Sequence, residues 1–440
     1  MYASDFVQSF REAAPYIHAF RGRTFVIGFG GEALEQGRFA SLSHDINLLV
    51  SLGVKVVLVH GARPQIDELL KIRGITPRIH LDRRVTDSDA IEIVKQAVGW
   101  TRAEIEAQLS VALPDSPMAG ANLRIVGGNH IVARPLGIID GVDMQYSGQV
   151  RKLDVQAIRH QLDFGELVLL SPLGYSPTGE IFNLSMPEVA AAAATALHAE
   201  KLLFVLDTPS GVQDENGRHI TEFTAREGLE WLDHSARHLG AGMRHCLKAA
   251  LDTVVSGVKR AHIVSQHLDG ALLKELFTHD GCATMISAEP LQVWRQAVIE
   301  DVGSILALIE PLERSGVLVK RGRELIEMDI HRFYVIEHDG KITGCVALNL
   351  FPEDHVAELA CLAVLPAWQK RGQGDALLRH TTQKARQLGM KRLFVLTTQT
   401  AHWFIERGFA PATVDDLPIE RKRLYNYQRK SKVFIKQIAI

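Results

Sequence analysis

The sequence predicts an α/β protein of two domains, on the evidence of its length and of two successive patterns of strands and helices. A chain of 440 residues is too long for one ordinary hydrophobic core, and length alone allows about two or three domains. In the longer amino-terminal part, apolar strand-like runs alternate with helical stretches, which is typical of a mostly parallel sheet covered on both faces. A second α/β pattern begins at Arg295. We therefore expect a domain at 1–286, a linker at 287–294 that contains Pro290, and a smaller domain with a mixed sheet at 295–440.

The elements of the first domain are predicted from apolar runs bounded by Gly, Pro and polar residues. The expected strands are Thr24–Gly28, Val54–His60, Leu167–Ser171, Leu202–Asp207 and Ala261–Val264. The expected helices are Phe6–Phe20, Phe39–Leu52, Pro64–Ile72 and an Ala-rich helix from Val189. Two short runs, Ile125–Val126 and Ile131–Arg134, indicate a hairpin-like pair around Gly127, Gly128 and Asn129.

The elements of the second domain are predicted in the same way. The expected segments are a helix at Asp301–Leu312, strands at Phe333–His338, Thr343–Leu350, Glu358–Val364 and Leu393–Leu396, and a helix at Asp375–Leu388. Asp339 and Gly340 lie between two of these strands, and Asp-Gly is a strong hairpin signal because both positions tolerate positive φ. We therefore expect that pair to be antiparallel.

Composition indicates a folded, water-soluble protein. Hydrophobic residues make up 46% of the chain and charged residues 23%. The formal net charge of −2 supplies no basic field for nucleic acid, so a nucleic-acid partner is not expected. The four cysteines form no Cys-x-x-Cys pair and no zinc spacing, which favours free thiols in a reducing cytoplasm and no metal.

Membrane insertion is not expected either. The amino terminus mixes charged with apolar residues and lacks the apolar region of a signal peptide. The longest apolar stretch, Val189–Leu206, is interrupted by His198, Glu200 and Lys201 before it could span a bilayer. We expect a cytoplasmic location.

A glycine loop near the carboxy terminus is the strongest functional signal. It follows an apolar strand, precedes a helix, and consists of Gln369, Lys370, Arg371, Gly372, Gln373 and Gly374. Glycines just before a helix let several backbone N–H groups point at one spot, and the helix dipole adds positive character there. The loop is therefore a candidate anion site.

This loop resembles the pyrophosphate loop of the GCN5-related N-acetyltransferases, which bind acetyl-coenzyme A. The resemblance implies that the six residues of the loop hold the cofactor phosphates. It also implies that the preceding strand pairs its backbone with the pantetheine arm through Cys361, Leu362, Ala363 and Val364.

Acetyl transfer to an amine requires a base, because the amine must first lose its ammonium proton. Glu358 opens the strand before the loop and is the candidate base; an exposed strand-edge acid is the alternative. Thr397 and Thr398 end the next strand, which is expected to be parallel to the first and splayed from it. Either hydroxyl could protonate the leaving thiolate, and the resemblance favours Thr397, although threonine is also common in strands for packing reasons.

Two basic clusters indicate an anionic acceptor. One lies in Val317–Glu324, around Arg321, and the other in Tyr425–Lys432, just before the final strand. Charge runs are usually solvated faces, but two separate clusters in one acetyltransferase domain would suit a small dicarboxylate.

The glycines at Gly30 and Gly31 follow the first strand, as in a dinucleotide-binding domain. Such a domain needs an acidic residue after its second strand, and this one ends in His60 and Gly61 instead. The blocks at Gly30–Gly31, His60–Ile66, Arg84–Asp87, Gly128–Asn129 and Asn183 together resemble the three-layer amino-acid kinase family, in particular N-acetylglutamate kinases.

Departures from that family fall at its chemistry. A lysine is expected just before the paired glycines, where this chain has Phe29. The second glycine run is Gly61, Ala62, Arg63, and no aspartate follows Asn183. Phosphoryl transfer depends on such positioned groups, so the first domain is expected to be an inactive kinase with a regulatory role.

The regulatory role is specified by resemblance to arginine-sensitive members of that family. The residues carried over as an arginine site are Tyr16, Phe20, Lys201, Glu275, Phe277, Thr278 and Gly281. Glu275 would meet the guanidinium and Lys201 the carboxylate, unless both are ordinary surface charges. The amino-terminal helix implies assembly of a homo-oligomer, a hexamer by resemblance.

Together with His402–Phe404 and Glu406–Phe409, these blocks resemble the bacterial N-acetylglutamate synthase family over essentially the whole chain. The resemblance implies acetyl transfer to the α-amino group of L-glutamate, opening arginine biosynthesis with feedback inhibition by L-arginine. It places the substrate at Val319, Arg321, Arg429 and Ser431. A bifunctional synthase and kinase, a non-catalytic arginine sensor and a protein-lysine acetyltransferase are the alternatives.

Overall fold

The computed structural model describes residues 2–369 and 372–438, with side chains from residue 6 onward except that of residue 36. The chain forms two compact units, Met1–Glu289 and Pro290–Ile440. The predicted linker at 287–294 contains this division, but Ser287 ends one strand and Gln292 begins the next. Only residues 288–291 therefore connect the two units.

The first unit is α/β, as the sequence predicts. Its helices are α1 (Tyr2–Phe20), α2 (Phe39–Ser51), α3 (Arg63–Ile72), α4 (Ser88–Leu109), α5 (Val155–Asp163), α6 (Met186–Leu197), α7 (Ala225–His234), α8 (Ala241–Val255) and α9 (Ala271–Phe277). Its strands are β1 (Thr24–Phe29), β2 (Lys55–His60), β3 (Arg78–His80), β4 (Arg83–Val85), β5 (Ile125–Val126), β6 (Ile131–Pro135), β7 (Ile138–Ile139), β8 (Val142–Asp143), β9 (Gly148–Leu153), β10 (Leu167–Leu170), β11 (Leu173–Tyr175), β12 (Ile181–Asn183), β13 (Lys201–Leu206), β14 (Glu222–Thr224), β15 (Arg260–Ser265) and β16 (Thr284–Ser287).

The main sheet of the first unit has eight strands in the order β14-β16-β15-β13-β1-β2-β10-β5. Every neighbouring pair is parallel except β15 and β16, which confirms the expected mostly parallel sheet. Two apolar clusters pack on its two faces, one against α6 and α8 and the other against α2 and α9. Parallel strands buried on both faces explain the continuous apolar runs of β1, β2 and β13.

One local prediction for this unit is wrong. The runs at Ile125–Val126 and Ile131–Pro135 do not form a hairpin, because β5 extends the main sheet beside β10. β6 instead belongs to a second, four-stranded sheet with the order β12-β11-β6-β9. Strands this short carry little register information, so tertiary partners decide their pairing.

The second unit has one mixed sheet. Its helices are α10 (Val302–Arg314), α11 (Arg323–Met328), α12 (Gln373–Gln387), α13 (Ala401–Ile405) and α14 (Ile419–Arg423), and its strands are β17 (Gln292–Gln296), β18 (Phe333–His338), β19 (Lys341–Phe351), β20 (Val356–Val364), β21 (Arg392–Thr397), β22 (Ala410–Ala412) and β23 (Lys432–Gln437). The strand order is β17-β18-β19-β20-β21-β23-β22. β18 and β19 are antiparallel and turn at Asp339 and Gly340, both with positive φ, which confirms the hairpin.

Only β20 and β21 run parallel in this sheet, and their pairing is short. It covers Val356–Glu358 against Arg392–Phe394, although β20 continues to Val364 and β21 to Thr397. The two strands therefore separate beyond Glu358. The splay predicted from the sequence is confirmed, and it leaves one edge of β20 without a strand partner.

Candidate active site

A bulge in β20 turns the side chains of its second half. The register with β19 shifts between Cys345 and Ala347, so β20 carries one extra residue, and Cys361 has a positive φ of 50°. Before the bulge, Ala357 and Leu359 pack in the apolar cluster that includes α12. After it, Cys361 packs with the residues of α10. By strand alternation Glu358 lies on the α10 face of the sheet.

Glu358 is buried at the point where the strands separate. Only 4% of the Glu358 surface is exposed, so the alternative of an exposed strand-edge acid is wrong. The carboxylate accepts two hydrogen bonds from Arg421 on α14, Nε to Oε2 and Nη2 to Oε1, each 2.9 Å. Asn349 Nδ2 on β19 donates a third to Oε2 at 3.2 Å. The sequence predicted Glu358 as the base, but not this guanidinium partner.

The splayed edge of β20 is the backbone surface available to an extended ligand. Leu362, Ala363 and Val364 lie in it after the bulge, and their other edge faces β19 through the pairs Cys345 with Ala363 and Gly344 with Val364. Backbone groups along such an unpaired edge favour binding of an extended chain by strand-like hydrogen bonds. This geometry fits the pantetheine contact that the sequence resemblance implies.

The predicted anion loop follows β20 and leads into α12. Gly372 has φ of 79°, a left-handed conformation that suits glycine, and no side chain caps the helix that it begins. Gln369 lies at the entrance, with its Nε2 donating to the carbonyl of Val364 at 3.2 Å. Lys370 and Arg371 lie outside the described residues. An uncapped helix start beside a left-handed glycine fits a phosphate site.

A cluster of three side chains fixes the first turn of α12. Arg407 pairs with Asp375 and donates from Nη1 to the carbonyl of Trp403 at 2.9 Å. Its guanidinium lies 4.1 Å from the centre of the Trp403 ring. A Cβ at Gly374 would approach that ring to 3.2 Å. The second glycine of the loop is therefore explained by close packing against Trp403. Gln373 is buried, and neither of its amide atoms has a hydrogen-bond partner among the described residues.

Thr397 and Thr398 differ in their contacts. Thr397 Oγ1 accepts from the N–H of Thr400 at 3.0 Å and lies 2.8 Å from the Thr400 hydroxyl. Thr398 Oγ1 is buried and has no hydrogen-bond partner among the described residues. Thr397 is thus held in one place at the end of β21, with its proton able to point toward Thr400 or toward a ligand.

The predicted substrate residues lie on two neighbouring segments. Arg429 Nη2 donates to the carbonyls of Gly316 at 3.1 Å and Val317 at 2.5 Å, which brings it to the loop that carries Val319 and Arg321. The backbone of Ser431 accepts a hydrogen bond from Tyr425 at 2.6 Å. Because both contacts of Arg429 with the loop carbonyls use Nη2, its Nε and Nη1 are available as donors. Val319 itself is 51% exposed.

Arg321 points inward from its basic run. Burial lowers the pKa of Arg321, nearby Glu358 raises it and nearby Arg421 lowers it, so these three charged groups share one region. The backbone N–H of Arg321 is fixed by Glu313 Oε1 at 2.8 Å. Its guanidinium has no ion-pair partner in the part of the chain that the structure describes. The neighbouring Arg323 is exposed and pairs with Glu327. Arg323 is therefore an ordinary solvated charge of this run, whereas Arg321 is not.

Four of the five kinase-like blocks line one cavity of about 340 Å³ at the carboxyl ends of β1 and β2. Its lining includes Gly30, Gly31, Gly61, Arg84 and Asn183, whereas the block at Gly128–Asn129 is not part of it. Phe29, which stands where the resemblance expects a lysine, is fully buried. This position therefore offers the cavity an apolar ring and no cation.

The predicted arginine residues lie together elsewhere in the same unit. Phe20 packs against Phe277, with ring centres 5.8 Å apart, and against Tyr16 at 6.1 Å. The Nζ atom of Lys201 lies 5.4 Å from the centre of the Phe20 ring. Helix α1 therefore contributes directly to this cluster.

Lys201 and Glu275 are joined by a residue that the sequence prediction missed. His262 on β15 lies 3.1 Å from Lys201 Nζ through Nε2 and 2.6 Å from Glu275 Oε1 through Nδ1. Because lysine only donates and a carboxylate only accepts, the imidazole accepts from Lys201 and donates to Glu275. Burial, with Lys201 nearby, lowers the pKa of His262 to about 4, so the imidazole that joins Lys201 to Glu275 is neutral near pH 7.

Glu275 is buried, with 4% of its side chain exposed, so the surface-charge alternative is wrong. Its Oε2 accepts the N–H groups of Cys282 at 2.7 Å and Ala283 at 2.9 Å. Burial opposes ionisation, but these bonds and the one from His262 outweigh it and lower the pKa of Glu275 to about 2. Gly281 lies directly against Oε2, where a Cβ would come within 2.4 Å. Thr278 Oγ1 accepts from the Gly281 N–H at 3.3 Å.

The missed residues gave weak signals. His262 is a polar residue inside an apolar strand, which could have indicated a buried network. Arg421 stands in the charged run Glu420–Arg423 and could not be told from a solvated face. Within residues 2–369 and 372–438 we find no group of three or more His, Cys, Asp or Glu suited to a metal ion. Among the helices described, none is long and apolar enough to cross a membrane.

Comparisons with known proteins identify a family for each unit and relatives over nearly the whole chain. Residues 23–265 match the amino acid kinase family and residues 304–409 match the GNAT acetyltransferase family. The chain is 50% identical over 434 residues to an amino-acid acetyltransferase of Ralstonia nicotianae, covering 99% of this chain and 96% of that one. It is also 50% identical over 435 residues to an amino-acid acetyltransferase of Azotobacter vinelandii, covering 99% and 100%.

Two solved structures are similar over nearly the whole chain. N-acetylglutamate synthase from Neisseria gonorrhoeae, complexed with coenzyme A and L-arginine, matches with a TM-score of 0.86 and 40% identity over 98% of this chain and 99% of that one. The same enzyme complexed with coenzyme A and N-acetyl-glutamate matches with a TM-score of 0.62 and 40% identity, covering 99% and 100%.

The splayed mixed sheet with its glycine loop defines an acetyltransferase that uses acetyl-coenzyme A. With its preceding amino-acid-kinase-like unit, the chain belongs to the amino-acid acetyltransferase family.

Proposed function

We propose that the protein transfers the acetyl group of acetyl-coenzyme A to the α-amino group of L-glutamate. The observation that carries the proposal is the convergence of a buried carboxylate, Glu358, and a guanidinium without an ion pair, Arg321, beside the opening between β20 and β21. A carboxylate suits an ammonium group, and a guanidinium suits a carboxylate. An acidic amino acid carries both groups.

In this proposal Glu358 takes the proton from the substrate ammonium group. The free amine then forms a bond to the thioester carbon, the nitrogen releases its second proton to solvent, and the carbon–sulfur bond breaks. Backbone N–H groups on the splayed edge of β20 stabilise the negative charge that develops on the carbonyl oxygen. Thr397 gives its proton to the departing thiolate and regains one from solvent, a modest aid because the thiol pKa is ~8.5.

The acceptor is assigned as glutamate because two carboxylates can be bound. Arg321 offers its whole guanidinium, while Arg429 offers the two nitrogens that do not bind the loop carbonyls. The hydroxyl of Ser431 follows Arg429 by two residues. The Neisseria enzyme with N-acetyl-glutamate bound supports the same substrate class.

The decisive experiment is an assay of thiol release from acetyl-coenzyme A with each amino acid in turn. Glutamate is expected to give the highest kcat/KM, with mass spectrometry showing one acetyl group on its nitrogen. A higher kcat/KM for a neutral or basic amino acid would contradict the assignment. This assay contains no ATP. A second assay supplies N-acetylglutamate together with ATP and measures its phosphorylation, which tests the bifunctional alternative because a kinase requires ATP.

We further propose feedback inhibition by L-arginine at the cluster around Glu275. Its carboxylate carries a full charge, yet its side-chain partner, His262, is neutral near pH 7, so a ligand guanidinium would supply the missing adjacent cation. The rings of Tyr16 and Phe20 offer stacking surface for the ligand. The Neisseria enzyme complexed with L-arginine supports the same ligand. Inhibition would place the first unit in control of the second.

Assembly into a homo-oligomer through α1 is part of the proposal. Phe6 and Phe10 are 70% and 59% exposed and stack at 6.0 Å, which forms an apolar stripe on the helix. Light scattering of the wild type and of a Phe6→Ser, Phe10→Ser variant would test it. A smaller mass for the variant is expected, and equal masses would exclude the stripe as the contact.

A further inference from the structure

The carboxylate of Glu358 has unequal hydrogen-bonding capacity at its two oxygens. Oε2 accepts from Arg421 Nε and Asn349 Nδ2, which occupies both of its lone pairs. Among the described residues, Oε1 accepts only from Arg421 Nη2. One lone pair on Oε1 is therefore left for a further donor.

Arg421 is itself held at a fixed position. Its Nη1 donates to the carbonyl of Leu424 at 3.3 Å, and 22% of its side chain is exposed, against 6% for Glu358. The two-point contact fixes both the plane of the carboxylate and its distance from the guanidinium. Rotation of Glu358 would break two charge-assisted hydrogen bonds together.

We propose that Arg421 is a positioning residue for acetyl transfer, which fixes the Glu358 carboxylate and aims the free lone pair of Oε1 at the substrate ammonium group. This inference rests on the proposed function, in which Glu358 is the base. Proton transfer requires the accepting oxygen to lie within hydrogen-bond reach of the ammonium group in the correct orientation. The two-point contact from Arg421 supplies that orientation.

Other groups near Glu358 limit the expected effect. Arg321, on the loop before α11, is a second cation close to Glu358, and burial lowers its pKa. Asn349 on β19 is neutral, and Tyr425 packs against the adjacent apolar cluster that contains Val356. Removal of Arg421 therefore leaves one cation near Glu358 but removes the two-point contact that fixes the plane of the carboxylate.

The test is the effect on kcat and on each KM in the full-length protein, measured with its best acceptor amino acid. In Arg421→Ala, kcat is expected to fall about tenfold or more, because a base that is not oriented transfers the proton poorly, while the KM for acetyl-coenzyme A should hold constant. Glu358→Gln should lose more activity, and adding Arg421→Ala to it should cost little further, since no base is left to position.

A second variant keeps the inference testable if Arg421→Ala fails to fold, since breaking a buried ion pair is strongly destabilising. Arg421→Lys keeps the charge but loses the two-point contact, so its kcat should lie between that of the wild type and that of Arg421→Ala. Arg423→Ala, an exposed arginine on the same short helix, is the control and should leave kcat and both KM values unchanged. Coenzyme A affinity reports folding of all variants.

The inference is wrong if kcat of the Arg421 variants equals that of the wild type, or if only KM changes. Failure of the proposed function gives different results. A preferred acceptor other than glutamate would refute the substrate assignment, and an active Glu358→Gln would refute the base assignment.

Discussion

Two buried carboxylates, Glu358 in the acetyltransferase unit and Glu275 in the kinase-like unit, have the same hydrogen-bond count and different partners. In each, Oε2 accepts two hydrogen bonds and Oε1 accepts one. The Glu358 carboxylate accepts two of its hydrogen bonds from the guanidinium of Arg421. The Glu275 carboxylate accepts hydrogen bonds from the imidazole of His262 and from two backbone N–H groups.

The difference lies in where the compensating charge is placed. At Glu358 the cation of Arg421 is in direct contact, and the remaining lone pair is suited to a proton. At Glu275 the nearest lysine, Lys201, lies beyond a neutral His262. Glu275 thus retains an attraction for a cation, which suits a binding site, whereas Glu358 is already compensated and suits proton transfer.

The largest expected effect separates the two carboxylates by chemistry. Glu358→Gln should lower kcat by about 10²- to 10⁴-fold at saturating acetyl-coenzyme A, because an amide cannot accept the ammonium proton. Glu275→Gln should leave kcat without arginine nearly unchanged. Steady-state kinetics of both variants checks this, with the exposed Glu353→Gln as a further control. Comparable losses of kcat in both variants would show that the two carboxylates do not differ in their catalytic role.

The cations near the two carboxylates should also differ. Arg321→Ala is expected to raise the KM for glutamate roughly tenfold to hundredfold, the equivalent of about 1.5 to 3 kcal/mol for a charge-assisted contact. The KM for acetyl-coenzyme A should hold constant. Arg323→Ala, two residues away and exposed, is the matched control. Equal increases in both KM values would show that Arg321 supports the fold and not the substrate.

Arginine inhibition tests the proposed role of Glu275. Glu275→Gln should raise the arginine concentration for half inhibition about 5- to 150-fold, the span of a coupling free energy of ~1 to 3 kcal/mol. Lys274→Ala changes an exposed charge on the same helix and should have little effect. Undiminished inhibition in the Glu275 variant would place arginine elsewhere.

The smallest effect concerns stability in acid. The folded pKa of His262, about 4, lies below its ordinary value of 6.5, so the folded chain binds fewer protons than the unfolded chain between these values. Stability therefore falls as pH falls through this window, by about 2 kcal/mol at pH 5. His262→Gln can keep both hydrogen bonds without titrating. Urea unfolding at pH 7.5 and 5 should show a smaller loss for this variant.

The exposed His234→Gln serves as the control, since this imidazole remains in solvent on α7. It should lose as much stability between the two pH values as the wild type. If His262→Gln behaves in the same way, His262 does not account for the acid sensitivity.

Local sequence determined most elements. Asp339 and Gly340 specify a tight turn because both adopt positive φ, and the predicted bounds of β2, β13 and α12 lie within two residues of the observed ones. The glycine loop and the splay beside it were predicted because their geometry is encoded within one strand–loop–helix segment. The predicted hairpin near Gly128 was wrong, because two- and five-residue strands take their partners from distant chain segments.

By itself the sequence determined the two α/β units, the order of strand and helix, and the side chains available for chemistry. Tertiary structure alone decided which charges meet: Arg421 reaches Glu358 across 63 positions, and His262 links Lys201, 61 positions away, to Glu275. Periodicity and turn chemistry act over a few residues, whereas burial and charge pairing depend on contacts that form only when remote segments pack. For that reason the sequence could not distinguish Arg421, which lies in a charged run, from a solvated surface charge.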